Sequence, residues 1–142
     1  MDKVLRYFGI ARKAGFLELG EENTGVAVRG GKAKAVFLAS DASDNAQRRA
    51  EGFVYGRSVP LLHVSYTKEA ISQATGKGGC SMAAVTDIGL ASTIVSALAE
   101  AEPERFAEAE TVLAARRDKA KKRKAAAAQQ QNKKTGKRRT EI

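Results

Sequence analysis

Two glycine-rich stretches have the composition of loops that could bind phosphate. Gly20 and Gly25 have the spacing of the glycines in a nucleotide-binding P-loop, and residues 76–79 read Gly-Lys-Gly-Gly. After Gly25 the chain reads Val-Ala, without the lysine that reaches the terminal phosphates and the hydroxyl that holds magnesium. The second stretch precedes a predicted strand rather than a helix, unlike a dinucleotide-binding fingerprint. Neither stretch therefore predicts a nucleotide site.

Two aspartates and a cysteine are the remaining candidates for catalysis. Asp41 and Asp87 each follow a predicted strand, and on neighbouring strands they could bind a metal or act as an acid/base pair. The simpler interpretation is that each accepts hydrogen bonds from amides at a helix start. Cys80 as a nucleophile would need a histidine beside it, and His63 lies in an apolar run typical of a strand. We therefore predict a protein that is not an enzyme and has no metal or cofactor.

The strongest charge signal lies in residues 116–142, here called the basic tail. The whole chain has a net charge of +9, but the basic tail alone carries 12 basic and 2 acidic side chains. Residues 1–98 are nearly neutral, and residues 99–115 are acidic. Such a tail binds polyanions through phosphate contacts and counterion release. Nucleic acid is favoured over a membrane surface because the tail has no apolar face to insert, and a solubilising arm is the alternative.

The basic tail is predicted to be partly helical. Residues 104–128 are rich in good helix formers but poor in large apolar residues, so we expect a helix that projects from the domain, with disorder from Gln129. Pro103 either breaks the preceding helix or begins this one. Two clusters of basic residues, at 119–124 and 133–139, are expected to contact phosphate without reading sequence. The residues selected from them are Lys121, Lys122, Arg123, Lys124, Lys137, Arg138 and Arg139.

The elements that must position these residues alternate between helices and short apolar strands. Periodicity and capping residues predict helices over 3–14, 21–29, 44–56, 67–75 and 90–102. Compact apolar runs predict strands near 16–19, 36–39, 61–64 and 82–85. This order predicts an α/β fold, a sandwich with about four strands and helices on both faces. We assign residues 1–100 to this domain and residues 101–142 to the helical and disordered tail.

Composition narrows the class of protein further. The chain has 142 residues, of which 43% are hydrophobic, enough to form a core. One Cys and one His exclude an internal disulfide framework and a Cys/His metal cluster. The N-terminal residues mix charged with apolar side chains, unlike a signal peptide, and no run of 18 apolar residues occurs. We expect a cytoplasmic monomer that does not bind membranes.

Four short stretches of sequence, taken in order, resemble one family. Residues 11–15 read Ala-Arg-Lys-Ala-Gly, and residues 20–23 read Gly-Glu-Glu-Asn. Residues 31–43 read Gly-Lys-Ala-Lys-Ala-Val-Phe-Leu-Ala-Ser-Asp-Ala-Ser, and residues 84–91 read Ala-Val-Thr-Asp-Ile-Gly-Leu-Ala. Together they resemble the ribosomal L-seven-Ae / L-thirty-e family of kink-turn RNA-binding proteins, most closely its bacterial YlxQ-like branch. The resemblance covers residues 3–98 and not the basic tail.

The resemblance implies a three-layer α/β/α sandwich with a mixed four-stranded sheet, and RNA as the partner. Family members dock the start of the second helix in the widened major groove of a kinked RNA, and a loop before the last strand covers a flipped-out base. Ordinary duplex RNA has too narrow a major groove for such docking, so the kink itself is recognised. The implied RNA-binding residues, with nearby lysines, are Gly20, Glu22, Asn23, Lys32, Lys34, Lys77, Gly78 and Gly79.

The sequence departs from the kink-turn pattern at several of these positions. The family's binders have Asn or Lys, then Glu or Gln, where this chain has Glu22 and Asn23, and they have Lys where it has Val26. Glycine replaces the apolar residue that covers the flipped base. Two hypotheses therefore stay open: a ribosomal or kink-turn RNA-binding protein that contacts rRNA or the ribosome, and a protein-interaction module that has lost this readout. Asn23 is also a candidate helix cap, which would need no RNA.

Overall fold

A computed structural model describes the backbone of residues 2–140 and the side chains of residues 2–130. Ten elements follow one another along this part of the chain. The helices are α1 Lys3–Lys13, α2 Glu21–Arg29, α3 Asp44–Val54, α4 Lys68–Thr75, α5 Ile88–Ala101 and α6 Pro103–Thr140. The strands are β1 Leu17–Leu19, β2 Ala35–Leu38, β3 Leu61–His63 and β4 Met82–Val85.

The four strands form one mixed sheet in the order β1-β4-β2-β3. β4 runs antiparallel to both β1 and β2, whereas β2 and β3 are parallel. β2 and β4 are buried along their whole length, since helices cover both faces of the sheet. Their continuous apolar sequence therefore reflects burial on two sides rather than one.

Alternate residues of the central strands serve two different cores. Phe37 and Val85 face the layer of α1, α4 and α5, where the rings of Phe8 and Phe37 meet edge to face at 5.1 Å. Val36 and Ala84 face the layer of α2 and α3. The predicted three-layer α/β/α sandwich with a mixed four-stranded sheet is confirmed.

Helix α6 differs from the projecting helix that the sequence predicts. Pro103 is its first residue, and its first part docks on the domain through Phe106 and Leu113, which are 2% and 0% exposed. These side chains join the core shared by α1, α4 and α5. Between residues 121 and 130 every side chain is exposed, and the helix continues past Gln129 to Thr140. The low apolar content misled the prediction because two large side chains, seven residues apart, suffice to hold this helix on α5.

Asp2 caps α1 and links it to the loop before α4. Its Oδ1 accepts hydrogen bonds from the Val4 amide at 2.8 Å and from the Tyr66 hydroxyl at 2.7 Å. Partial burial opposes ionisation, but the bonds from Tyr66 and the backbone amides outweigh it, so the pKa of Asp2 lies below its ordinary 3.8. Burial and the Asp2 carboxylate raise the pKa of the Tyr66 phenol.

Asp2→Ala is expected to lower the free energy of unfolding by about 1 kcal/mol near neutral pH, the usual cost of losing a helix cap. The folded-state pKa is depressed, so this contribution is present above 3.8 and is lost as pH falls through the folded-state value. Urea unfolding at stepped pH measures the difference. Asp44→Ala, at an exposed aspartate that caps no helix, is the matched control. A difference that persists unchanged at acid pH would contradict the role of the carboxylate.

Candidate nucleic-acid interface

The start of α2 presents backbone amides without a side-chain acceptor. Gly20 is the residue before the helix, with φ of 95° and ψ of 165°, and it has no side chain to cap the first amides. Only glycine adopts this conformation readily. Its carbonyl accepts from the Thr24 amide and so begins the helical hydrogen bonds. The amides that remain at such a helix end attract anionic or acceptor groups of a ligand.

The polar residues of the first turn of α2 have separate roles. Asn23 does not cap the helix: its Nδ2 donates a hydrogen bond to the Leu19 carbonyl at 3.0 Å, so it ties α2 to the end of β1. Glu21 forms an ion pair with Arg49 of α3 at 3.1 Å. Glu22 is exposed, and among the described side chains it has no ion pair. The helix start therefore combines amide donors with one unneutralised carboxylate.

The glycine loop before β4 lies beside this helix start. The Gly20 amide donates to the Met82 carbonyl at 3.0 Å, because β1 and β4 are antiparallel neighbours. Cys80 is buried, and its sulfur would lie 3.9 Å from a Cβ on Gly20. The preceding residues Lys77, Gly78 and Gly79 are exposed. The structure therefore places the end of the glycine loop next to the start of α2. Lys77 carries the only side chain among the exposed loop residues 77–79.

Lys32 belongs to the same side of the molecule, in the loop just after α2. It shares a small depression with Glu18, Asn23, Val26 and Thr86. Val26 is 58% exposed there, one turn after Asn23, so an apolar side chain occupies the centre of this face. Gly25 faces the other way, where a Cβ would lie 2.8 Å from the ring of Phe53. Its spacing from Gly20 therefore reflects close packing of α2 on α3 rather than a phosphate loop.

Lys34 does not join the α2 face but lies beside α6. It lines a cavity with Arg116, Lys119 and Arg123, a grouping that the sequence analysis missed. The helical spacing of the three α6 residues was the available signal, since positions three, four and seven apart share a helix face. Lys121, Lys122 and Lys124 are exposed elsewhere on α6. Of the predicted tail contacts, Lys137, Arg138 and Arg139 lie outside the residues whose side chains the structure describes.

The candidate catalytic residues lie apart. Asp41 accepts from the Lys68 amide at 2.8 Å, and Asp87 accepts from the Leu90 amide at 2.9 Å, so each binds a helix-start amide as the simpler interpretation predicts. They follow antiparallel strands and stand at opposite ends of the sheet, which makes the acid/base pair wrong. Cys80 lies beside Gly20, whereas His63 ends β3, the opposite edge strand. These residues do not form a nucleophile–histidine pair.

Comparison with known proteins decides the family. No protein-family model matches the chain. The RNA-binding protein YlxQ of Enterococcus faecium is 36% identical over 75 residues, which are 53% of this chain and 72% of that protein. This chain belongs to the YlxQ-like branch of the ribosomal L-seven-Ae family.

Solved structures share the fold of this chain. A protein of unknown function from Bacillus halodurans is 26% identical and superposes with a TM-score of 0.64, covering 68% of this chain and 97% of its own. The 15.5 kD RNA binding protein of Giardia lamblia, 18% identical with a TM-score of 0.56, covers 70% of this chain and 84% of its own and shows the fold. In the described part of this YlxQ-like chain, no helix is long and apolar enough to cross a membrane.

Proposed function

We propose that this protein binds structured RNA through the start of α2 and the loop before β4, and that the basic part of α6 adds affinity without reading sequence. The observation that carries the proposal is the junction of these two surfaces at Gly20, whose amide bonds to Met82. The described relative YlxQ is an RNA-binding protein, which supports RNA as the partner. The RNA is of the kink-turn or ribosomal type, and the protein acts without catalysis, as a cytoplasmic monomer.

The geometry of the α2 surface favours a kinked RNA over a straight duplex. Amides at an uncapped helix start can bond phosphate or base acceptors only where the helix end reaches the groove floor. The major groove of ordinary duplex RNA is too deep and narrow for that approach. Gly78 and Gly79 are exposed, and among the described residues beyond their chain neighbours nothing lies within 4 Å of a Cβ on either, so this loop leaves room for an unstacked base. The site therefore suits an RNA whose groove is opened by a bend.

A protein partner is the second candidate, and two exposed side chains favour it. Val26 is 58% exposed and Tyr55 is 87% exposed, and both lie on the layer of α2 and α3. Val26 occupies the place where kink-turn binders of this family carry a lysine. Apolar and aromatic side chains at a surface often anchor protein partners. This alternative predicts no preference for kinked RNA.

The test is titration of the full chain with a kink-turn RNA and with a straight duplex of equal length, at two salt concentrations. We expect at least a ten-fold lower Kd for the kinked RNA at both, because base and groove contacts contribute about 1–3 kcal/mol each. Glu22→Gln should tighten kink-turn binding about three-fold, since a carboxylate at ~6 Å from a phosphate in water costs about 0.7 kcal/mol.

Glu69→Gln is the matched control, because Glu69 is an exposed glutamate of α4, in the helical layer on the other face of the sheet. It changes the net charge by the same amount as Glu22→Gln. If both variants tighten RNA binding equally, the effect is one of net charge, and Glu22 has no specific role at the site. Equal affinity for the two RNAs would overturn kink recognition and leave the protein-interaction alternative.

A further inference from the structure

A cavity between the domain and α6 is lined by four cations. Its volume is about 300 Å³. Lys34 comes from the segment before β2, and the other three charged residues come from successive turns of α6. Among residues 2–130, no carboxylate lines it. The full lining is Lys34, Ile88, Arg116, Lys119, Ala120 and Arg123.

Hydrogen bonds fix both walls of the cavity, which are the segment before β2 and helix α6. The Lys34 amide donates to the Val85 carbonyl at 2.7 Å, which extends the pairing of β2 and β4 by one residue. Arg116 donates to the Ser58 carbonyl at 2.5 Å, and Arg117 donates to the Ser92 hydroxyl at 3.2 Å on α5. These bonds lie at the point where α6 leaves the domain, so Lys119 and the next turn are presented by an anchored helix.

The cations of the cavity lack counterions within the described structure. Elsewhere in residues 2–130, the basic groups of Lys3, Arg49, Arg105 and Arg117 each pair with a carboxylate. Lys34, Lys119 and Arg123 form no ion pair among those residues. Like charges that share a cavity repel each other, and a bound anion removes that cost. Guanidinium and ammonium groups around an open space are suited to phosphate oxygens.

The cavity adjoins the α2 face rather than standing alone. Lys32 and Thr86 line the depression on α2. Lys34 is two residues after Lys32, and its bonded partner Val85 precedes Thr86. Gly20 bonds Met82 at the other end of β4, so a nucleic-acid strand that runs from the helix start along α2 and past Lys32 meets the cavity next.

We propose that this cavity binds the phosphodiester backbone of the RNA strand that flanks the α2 site. The domain supplies Lys34 and α6 supplies Lys119 and Arg123, so one strand is held between them. The inference rests on the proposed function, since it takes RNA as the ligand of the neighbouring face. In this arrangement α6 contacts phosphate at a defined place, in addition to attracting RNA non-specifically by its charge.

The test compares two charge-matched double variants of the full chain on the same kink-turn RNA. Lys34→Gln/Arg123→Gln removes two cavity cations, and Lys121→Gln/Lys122→Gln removes two exposed cations of α6 outside it. Arg116 is left intact because it anchors the helix. We expect the cavity variant to weaken binding about 30-fold near 0.15 M salt and to lower the salt slope by nearly 2, as two lost phosphate contacts would. The control should change Kd less than about five-fold.

Equal losses of RNA affinity in the two variants would overturn the proposal that the cavity binds RNA, since non-specific electrostatic attraction depends only on charge. The kinked-over-straight preference reports on the α2 site separately. If that preference is absent but the cavity variant still loses more than its control, the proposed function fails and the cavity stands. If the preference is present and the two variants are equal, the cavity fails alone.

A second arm distinguishes a strand from a free anion. Side-chain NMR signals of Lys34 and Arg123 are followed during titration with inorganic phosphate and with a single-stranded RNA oligomer. We expect the oligomer to shift them at much lower concentration than inorganic phosphate. Saturation by inorganic phosphate at micromolar concentration, without response to the oligomer, would identify a small-anion site and overturn the proposal.

Discussion

A chain that ends at residue 100 is expected to lose its cooperative fold. The first part of α6 contributes Phe106 and Leu113 to the main core, where they are 2% and 0% exposed. Removing either large side chain from a core costs about 2–5 kcal/mol. Losing both costs about as much as the total stability of a small domain, which is about 5–15 kcal/mol. Thermal unfolding by circular dichroism should show a broad or absent transition.

A chain that ends at residue 118 is the control for this prediction. It keeps both buried side chains and the anchoring bonds of Arg116 and Arg117, so its melting temperature should match that of the full chain. Leu113→Ala, in the full chain, should cost about 3 kcal/mol, whereas Val112→Ala, at a neighbour that is 38% exposed, should cost little. A stable, cooperatively folded chain of residues 1–100 would show that α6 is dispensable and would support the domain boundary that the sequence predicts.

The second large effect is expected in the salt dependence of RNA binding. Residues 119–142 carry ten basic side chains and one acidic side chain. If about five of them neutralise phosphates, the logarithm of the binding constant falls with a slope near −4.5 against the logarithm of salt. Between about 0.05 and 0.2 M salt the full chain should therefore lose about 500-fold in affinity. The chain that ends at residue 118 should lose less than ten-fold.

Fluorescence anisotropy with labelled RNA at four or more salt concentrations measures both slopes. A chain that ends at residue 130 is the intermediate control. It keeps the five basic residues that lie between positions 119 and 124. Its slope should fall between the other two. If the chain of residues 1–118 keeps the full slope, the phosphate contacts come from the folded domain, and the basic tail is a solubilising arm.

Most elements of this fold are evident in the sequence because their signals are local. Helix α2 and strand β4 have the bounds that periodicity and apolar runs predict, and the ends of the other elements of the sandwich differ from the prediction by at most two residues. Helix α6 is the exception. Its helicity is predictable from composition, but its docking depends on the apolar surface that α5 leaves open, and no property of residues 103–117 alone reveals that surface.

The residues of the candidate RNA site were predictable from sequence, but their arrangement in space was not. Gly20, Asn23 and the 77–79 loop could be selected from sequence because they belong to an ordered resemblance. That they meet at one place depends on the antiparallel pairing of β1 with β4. The grouping of Lys34 with α6 likewise depends on where that helix docks. Sequence reasoning missed it because the two parts are more than 80 residues apart along the chain.

The sequence by itself determined the kinds and order of the elements, the helix-capping role of Asp87, and the concentration of positive charge near the C-terminus. These properties depend on side chains within a few residues of one another. Only the tertiary structure decided that the two aspartates stand at opposite ends of the sheet and that α6 completes the core. It also decided that Lys34 shares a cavity with α6. Strand direction and helix docking are set by burial between distant segments, and a local pattern is compatible with more than one such arrangement.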